Sequence, residues 1–590
     1  MSSDKPARYS STRWHDPSAQ QYFSFEDVVL KGLASDGGLF HPVTIPDVSK
    51  VYLSWKDLSF SDLALQVIRP FMSAAEISDT DLKSIVDQSY SVFHHPDTVP
   101  LITLDASKDL HLLELFHGPS FAFKDIALQF LGNLFEFFLV RRNRELSPGQ
   151  SRHHLTVIGA TSGDTGSAAI YSLRGKQDVS IFIMFPDGKV SPVQEAQMTT
   201  VLDSNVHNLS IKGTFDDCQD MVKALFADAE MNKSHHLAAV NSINWARILA
   251  QITYYFSAYF QLLKHNPNLP SNDSVQFVVP TGNFGDILAG FYAKRMGLPI
   301  AKLVIATNEN DILHRFWKTG TYSKKKAPPQ EAEGSGFAQD GVKAHEDGVK
   351  ETLSPAMDIL VSSNFERLLW ELTFQYEKAL DEAASTVNSD SMPSSSAVAE
   401  NEPAVQRAGR KINAWFSALK KTGSFTVQEP EILAAARAIF TTHRVSDAET
   451  SATIQACYRG EIIEHKGYVL DPHTAVGVAA ALRQIQQQQP SSNGEDVTKT
   501  DEQIQSQNQE KVKMHTIALA TAHPAKFAKA VDVALKGEES FDFARVLPQE
   551  FVGLVERERR VRKVDPRTGL EGIRNIIVEE VRREKEGDGC

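Results

Sequence analysis

The sequence predicts an α/β protein, with open sheets flanked by helices behind a mainly helical N-terminal domain. Three observations predict it. Short β-branched runs alternate with helical patterns through the middle of the chain. Glycine-rich turns join several of those runs to the helical pattern that follows. The first 100 residues are mainly helical by pattern. Strand, tight turn, helix, strand is the signature of open α/β sheets, whose ligands sit at the carboxyl ends of strands.

The elements follow in order. LTVIGA at 155–160 reads as a strand, then a glycine-rich turn, then a helix over AAIYSLRGK. VSIFIMFP at 179–186 is the next strand. SVQFVVPTGNFG at 274–285 leads into the helical pattern DILAGFYAKRM, which Gly297 and Pro299 close. AKLVIATN at 301–308 and HTIALATAHP at 515–524 are two further strand-then-loop units. The 590 residues exceed what one hydrophobic core usually serves. The expected division is an N-terminal domain over 1–100, a catalytic core of two α/β subdomains over 101–540 and a helical C-terminal extension over 541–590. Three polar segments, near 322–350, 385–403 and 484–511, read as surface insertions, because they lack the apolar content to offset ordering. From Val555 onward Arg and Glu dominate, which reads as a solvated helix or tail.

Composition narrows the functions. Hydrophobic residues make up 42% and charged residues 23%, ordinary globular usage. A net charge of −13 argues against nucleic acid as main partner, since phosphate backbones demand a basic face. The 3 cysteines are scattered without a CxxC, so neither a disulfide framework nor a zinc site is expected. Several histidines come as adjacent pairs (His94 and His95, His153 and His154), a poor geometry for one metal, and no metal is expected. No apolar run reaches membrane-spanning length, and the N-terminus lacks the apolar stretch of a secretory signal. A cytosolic location is the expectation, and no oligomeric state is predicted.

Three places carry candidate chemistry. In HGPSFAFKDIALQF (117–130), Lys124 stands at the start of an apolar helical pattern, between Phe121 and Phe123 on one side and Ala127, Phe130 and Leu131 on the other. Desolvation there favours a neutral amine, which Schiff-base chemistry requires. On local facts alone, a snorkelling lysine at a helix start is the commoner outcome. In IGATSGDTGSAA (158–169), glycines and hydroxyls between strand and helix form a nest for an anion such as a carboxylate, or simply a structural turn. It is neither a Walker loop nor GxGxxG. In PTGNFGD (280–286), a small flexible turn meets a helix N-terminus, a natural cradle for a phosphate dianion. Asp286 conflicts in sign, so its side chain should cap the helix or face away.

The combination resembles the fold-type II pyridoxal-phosphate enzymes, the tryptophan-synthase-β-like group, and within it the threonine synthases. FAFKD around Lys124, GATSGDTGSAA, PTGNFGDILAG and ATAHPAKF (520–527) carry the resemblance, with YSSTR (9–13), SDGGLFHP (35–42) and NSINWARI (241–248). It spans almost the whole chain, and the three insertions resemble the fungal-type branch. It implies pyridoxal 5′-phosphate held as a Schiff base on Lys124. It implies a phosphate cradle from Gly282, Asn283, Phe284, Gly285 and Asp286, and a Thr521 hydroxyl at the pyridine nitrogen. Ser162, Gly163, Asp164 and Thr165 correspond to the loop that holds the substrate carboxylate and the cofactor's O3′ edge. Many relatives outside threonine synthase have Asn where Asp164 stands. Arg247 is a candidate for the substrate phosphate because guanidinium grips phosphate bidentately, with a structural salt bridge as the alternative; Arg13 is a second candidate. The implied reaction turns O-phospho-L-homoserine and water into L-threonine and phosphate. The rivals are a phospho-lyase that stops short of threonine, a silent homologue that binds a metabolite, and a nucleotide-binding dehydrogenase. The last lacks both the glycine fingerprint and the acidic ribose partner.

Overall fold

Apolar strands are placed side by side in two large sheets, helices cover both, and two short two-stranded pairs lie apart from them. The structure, a computed structural model, describes residues 8–267, 274–324, 348–387, 402–464, 466–488, 513–565 and 569–587. The middle of each expected insertion lies outside these residues. The first sheet has six strands in the order Phe440–Arg444, Ile300–Thr307, Ser274–Pro280, Met514–Ala520, Leu110–Glu114 and Leu101–Asp105. All its neighbours are parallel except the last pair. The second has five parallel strands in the order Arg562–Val564, Val206–Ile211, Val179–Pro186, Leu155–Ala160 and Leu237–Ala238. Inner strands buried along their length, such as Val179–Pro186, explain the continuous apolar runs.

Two long helices, Lys124–Arg144 and Trp245–His265, bury mostly apolar side chains, with Lys124, Asp125, Arg247 and a few amides and hydroxyls as exceptions, and form the central layer. The N-terminal helices Phe25–Lys31, Phe60–Ile68 and Asp79–Tyr90 pack on this layer, each started by a serine N-cap: Ser24, Ser59 and Ser78. The layers are pinned by polar contacts as well. Tyr9 donates to the Phe71 carbonyl at 2.5 Å and accepts from Trp245 Nε1 at 3.2 Å. Arg142 Nε donates to Glu26 at 2.6 Å.

The C-terminal segment differs from a solvated tail. Arg562–Val564 adds a parallel strand beside Val206–Ile211. The helix Gly569–Gly587 buries Ile573, Ile576, Ile577 and Val581 against Ile158, Phe182 and Leu209. Those four residues form one helical stripe that the surrounding Arg and Glu obscure in the sequence. Glu584 then accepts from Ser180 at 2.6 Å and contacts His207 Nε2 at 2.6 Å. Among the described residues, no helix is long and apolar enough to cross a membrane.

Candidate active site

The strands Ser274–Pro280 and Met514–Ala520 end on one edge of the first sheet, and Leu155–Ala160 ends in the glycine loop of the second. Thr521, the 281–286 turn and the 161–165 loop follow those ends; Lys124 follows the strand Leu110–Glu114, and Arg247 lies in the helix Trp245–His265. Lys124 opens its helix, buried at 8% exposure. The loop before it is tightly built. Ser120 donates to both Asp125 oxygens, at 2.8 Å from its N–H and 2.6 Å from its hydroxyl. Phe121 takes a left-handed φ of 58°. A side chain on Gly118 would place its Cβ 2.5 Å from that of Asp125, so only glycine fits. Burial lifts the Asp125 carboxyl to about 6 against the Ser120 hydrogen bonds. Asp125 is therefore loop structure.

The same loop is stitched to the strand end that carries Thr521. Phe123 N–H donates to the Thr521 carbonyl at 2.8 Å, His523 N–H to the Phe121 carbonyl at 3.1 Å, and Ala122 bridges Ala522. Thr521 N–H in turn donates to the Thr474 hydroxyl at 3.2 Å. Thr474 and His473 both bind Asp471 at the start of the helix Pro472–Gln488.

On the second sheet, Gly163 has φ 147°, and its N–H and that of Gly166 donate to the Thr161 hydroxyl at 3.0 and 2.9 Å. The hydroxyl of Thr161 is thus taken up by the turn. Ser162 is exposed and Thr165 partly so, at the open side. Asp164 is buried; its Oδ2 lies 3.7 Å from Lys124 Nζ and its Oδ1 3.1 Å from Lys526 Nζ. Gln194 Nε2 donates to the same Oδ1 at 2.8 Å. Burial raises the Asp164 carboxyl, but the Lys526 and Lys124 cations outweigh it and hold it well below the usual carboxylate range. Burial lowers the Lys124 amine, Asp164 opposes, and Lys526 and Arg247 add to the fall.

The third loop runs from Thr281 to Phe284. Its carbonyls are tied off on one neighbouring segment: Ser362 Oγ donates to the Gly282 carbonyl at 2.6 Å, and Asn364 N–H to that of Asn283 at 3.0 Å. Phe284 takes φ 64° and no side chain caps the helix Gly285–Arg295. Its first-turn N–H groups are left pointing into the loop. Asp286 faces away, the second of the two resolutions of the sign conflict. Its Oδ1 accepts from Tyr254 at 2.5 Å and Tyr255 at 2.9 Å, and burial lifts it to about 6 against those bonds. Arg247 is buried at 5%, donates to the Val240 carbonyl at 3.1 Å and has no carboxylate partner among the described residues. Burial lowers it to about 10. Arg13 instead forks onto Glu366 at 2.9 and 2.7 Å, which uses it as structure.

Sequence reasoning missed Gln194, Lys526 and the Asp471–Thr474 cluster. The signals were present: a lysine inside the apolar PAKF, and Asp-Pro-His-Thr before an apolar helix. A separate cavity of about 590 Å³ opens around His153, His154 and Leu155 at the start of their strand, and none of the residues above lines it.

The chain also matches known proteins. Residues 8–90 match the threonine synthase N terminus, 94–355 the pyridoxal-phosphate dependent enzymes, and 497–577 the threonine synthase C-terminal region. A threonine synthase of Schizosaccharomyces pombe is 50% identical over 553 residues, 93% of this chain and 94% of that one. The chain belongs to the threonine synthase family. The crystal structure of threonine synthase from yeast superposes with a TM-score of 0.80 at 46% identity, covering 98% of this chain and 99% of that one. Threonine synthase from Brucella melitensis, solved with bound pyridoxal phosphate, gives 0.75 at 36% identity, covering 97% and 99%. The two fungal threonine synthases thus match better than this bacterial one.

As a threonine synthase the enzyme is a pyridoxal-phosphate-dependent lyase. The residues present fit that cofactor: a buried amine at Lys124, an uncapped helix N-terminus at Gly285, and a hydroxyl at Thr521 on the strand end beside Lys124.

Proposed function

We propose that this threonine synthase converts O-phospho-L-homoserine and water to L-threonine and phosphate, with the cofactor on Lys124. The observation that carries the reading is that Lys124 lies 3.7 Å from Asp164 of the glycine loop, while its own loop is bonded to the Thr521 strand end, beside the strand that leads to the open helix N-terminus at Gly285. N–H groups of Gly282, Asn283, Phe284, Gly285 and Asp286 hold the cofactor phosphate; Asp286 contributes main chain only, since its carboxylate is turned to Tyr254 and Tyr255. Thr521 would offer a neutral hydroxyl to the pyridine nitrogen. Ser162, Gly163 and Thr165 hold the substrate carboxylate, and Asp164 orders that loop against Lys124. Arg247 receives the substrate phosphate.

Bound pyridoxal phosphate supplies an electron sink for negative charge beside the substrate amino group. The chain supplies the rest. Lys124 Nζ, whose basicity is lowered by burial, would take the proton from the substrate α-carbon. Arg247 stabilises the phosphate as it leaves the γ-carbon. The exposed Ser162 side admits the water that ends on the β-carbon. A hydroxyl at Thr521 leaves the ring a weaker sink than a carboxylate partner would, which favours β,γ-chemistry over transamination.

The test is borohydride reduction of the cofactor-loaded enzyme with peptide mapping, followed by product analysis from O-phosphohomoserine. A visible band lost on reduction, label on Lys124, and threonine with phosphate as products are expected. Release of 2-oxobutyrate instead of threonine would make the chain a phospho-lyase, and label on another lysine would move the site.

A further inference from the structure

Asp164 stands between two lysines that it does not serve equally. Lys526 Nζ approaches its Oδ1 to 3.1 Å, and Lys124 Nζ approaches its Oδ2 only to 3.7 Å. The Lys526 side chain is fully enclosed, at 1% exposure for the residue. It also donates to the Ser120 carbonyl at 2.6 Å and the Ser167 hydroxyl at 3.4 Å. With Asp164 these partners use all three N–H directions of the ammonium. Gln194 fixes the carboxylate from the other side. Lys124 has no comparable set.

A single carboxylate cannot neutralise two buried ammonium groups. The proton is therefore lost from the amine with fewer and longer contacts. The other charged groups facing Lys124 are Arg247 and Asp125, and His473 faces Asp164. Asp125 is turned to Ser120, Arg247 adds a like charge, and His473 is bound to Asp471. None replaces the carboxylate that Lys526 holds.

We propose that Lys526 is a positioning residue: by claiming Asp164 it anchors the glycine loop and deprives Lys124 of its counter-ion, leaving Lys124 ready to act as a neutral amine. The role in catalysis rests on Lys124 being the cofactor lysine. Lys526 sits on the turn after the first-sheet strand that ends at Ala520, whereas Asp164 begins the helix after a second-sheet strand. The pair therefore also ties the two sheets together at the site.

The experiment is acetylation of Lys124 by acetic anhydride in the cofactor-free full chain, read by peptide mass spectrometry across pH, for the parent and for Lys526→Met, Lys526→Gln and Lys526→Arg. The glutamine variant keeps a donor for the Ser120 carbonyl and serves where the methionine variant does not fold. In either neutral variant Asp164 passes wholly to Lys124, so the midpoint of Lys124 labelling rises by about one pH unit, roughly tenfold lower reactivity at fixed pH. Lys526→Arg keeps the cation and stays within about 0.3 unit of the parent. A folded neutral variant whose Lys124 midpoint does not move overturns the proposal. A purely packing role for Lys526 gives that result. The borohydride map separates the two readings: label on Lys124 without a shift keeps the function and sinks the role of Lys526, and a shift with label elsewhere keeps the charge coupling of Lys526 to Lys124 but overturns its role in catalysis.

Discussion

Phe123 and Thr521 are joined by a main-chain hydrogen bond of 2.8 Å, from the N–H that precedes Lys124 to the carbonyl of the residue proposed to face the pyridine nitrogen. The main chains that carry the amine and that hydroxyl are thereby held in register. Substitution at Thr521 should change chemistry without moving Lys124.

Thr521→Asp is the sharpest case. A carboxylate there would hold the pyridine nitrogen protonated and strengthen the electron sink. Turnover to threonine is expected to fall about tenfold or more, a barrier change of about 1.4 kcal/mol, with keto-acid side product appearing. Steady-state kinetics with product analysis checks it, and unchanged turnover would leave the hydroxyl without a role.

Gly163→Ala tests the carboxylate loop. At φ 147° an alanine is strained, and its Cβ would lie 2.5 Å from Gln194, the side chain that holds Asp164. A loss of about 1–3 kcal/mol in stability is expected. KM should rise beyond what the lost stability explains, measured by thermal unfolding beside saturation kinetics.

Asp286→Asn should stabilise the cofactor-free protein in a pH-dependent way. The folded carboxyl is raised from 3.8 to about 6, so the folded chain keeps a proton that the unfolded chain loses between those values. The stability this group contributes is present below pH 4 and is lost as pH rises through 6, by about 3 kcal/mol. Asparagine has no proton to lose. Urea midpoints at pH 4.5 and 7.5 should show the variant gaining on the parent as pH rises; a constant difference would mean the carboxylate is already compensated.

His154→Gln should act with the opposite sign. Burial, aided by the nearby Lys585 cation, lowers His154 from 6.5 to about 4. The unfolded chain binds a proton below pH 6.5 that the folded chain refuses, so the parent loses stability as pH falls toward 4, by about 1.4 kcal/mol per unit. Glutamine removes that slope and keeps a donor toward the Ser180 hydroxyl, now 2.8 Å from His154 Nε2. The acid limb of a stability–pH curve, parent against variant, is the measurement.

Much of the fold was legible because local signals agreed. The run 155–160 is a strand over Leu155–Ala160, and the run beginning at Ser274 gives Ser274–Pro280 followed by a helix, each with glycine where the backbone turns. The buried start of a helix at Lys124 followed from apolar spacing alone. What escaped depends on partners far along the chain. Lys526 is informative only beside Asp164, and the direction of Asp286 only beside Tyr254 and Tyr255, which come from another helix. The strand Arg562–Val564 escaped because it is short, charged and held by pairing with Val206–Ile211, not by its own pattern.

The proposed site is divided between two frames. Lys124, Thr521 and the Gly285 helix start belong to the first sheet and its loops, joined by backbone hydrogen bonds; Ser162, Gly163 and Asp164 follow a strand of the second. Lys526 spans the division, bound to the Ser120 carbonyl at 2.6 Å on one side and to Asp164 at 3.1 Å on the other. One buried ammonium thus rivets the half of the site that would hold the cofactor ring to the half that would hold the substrate carboxylate.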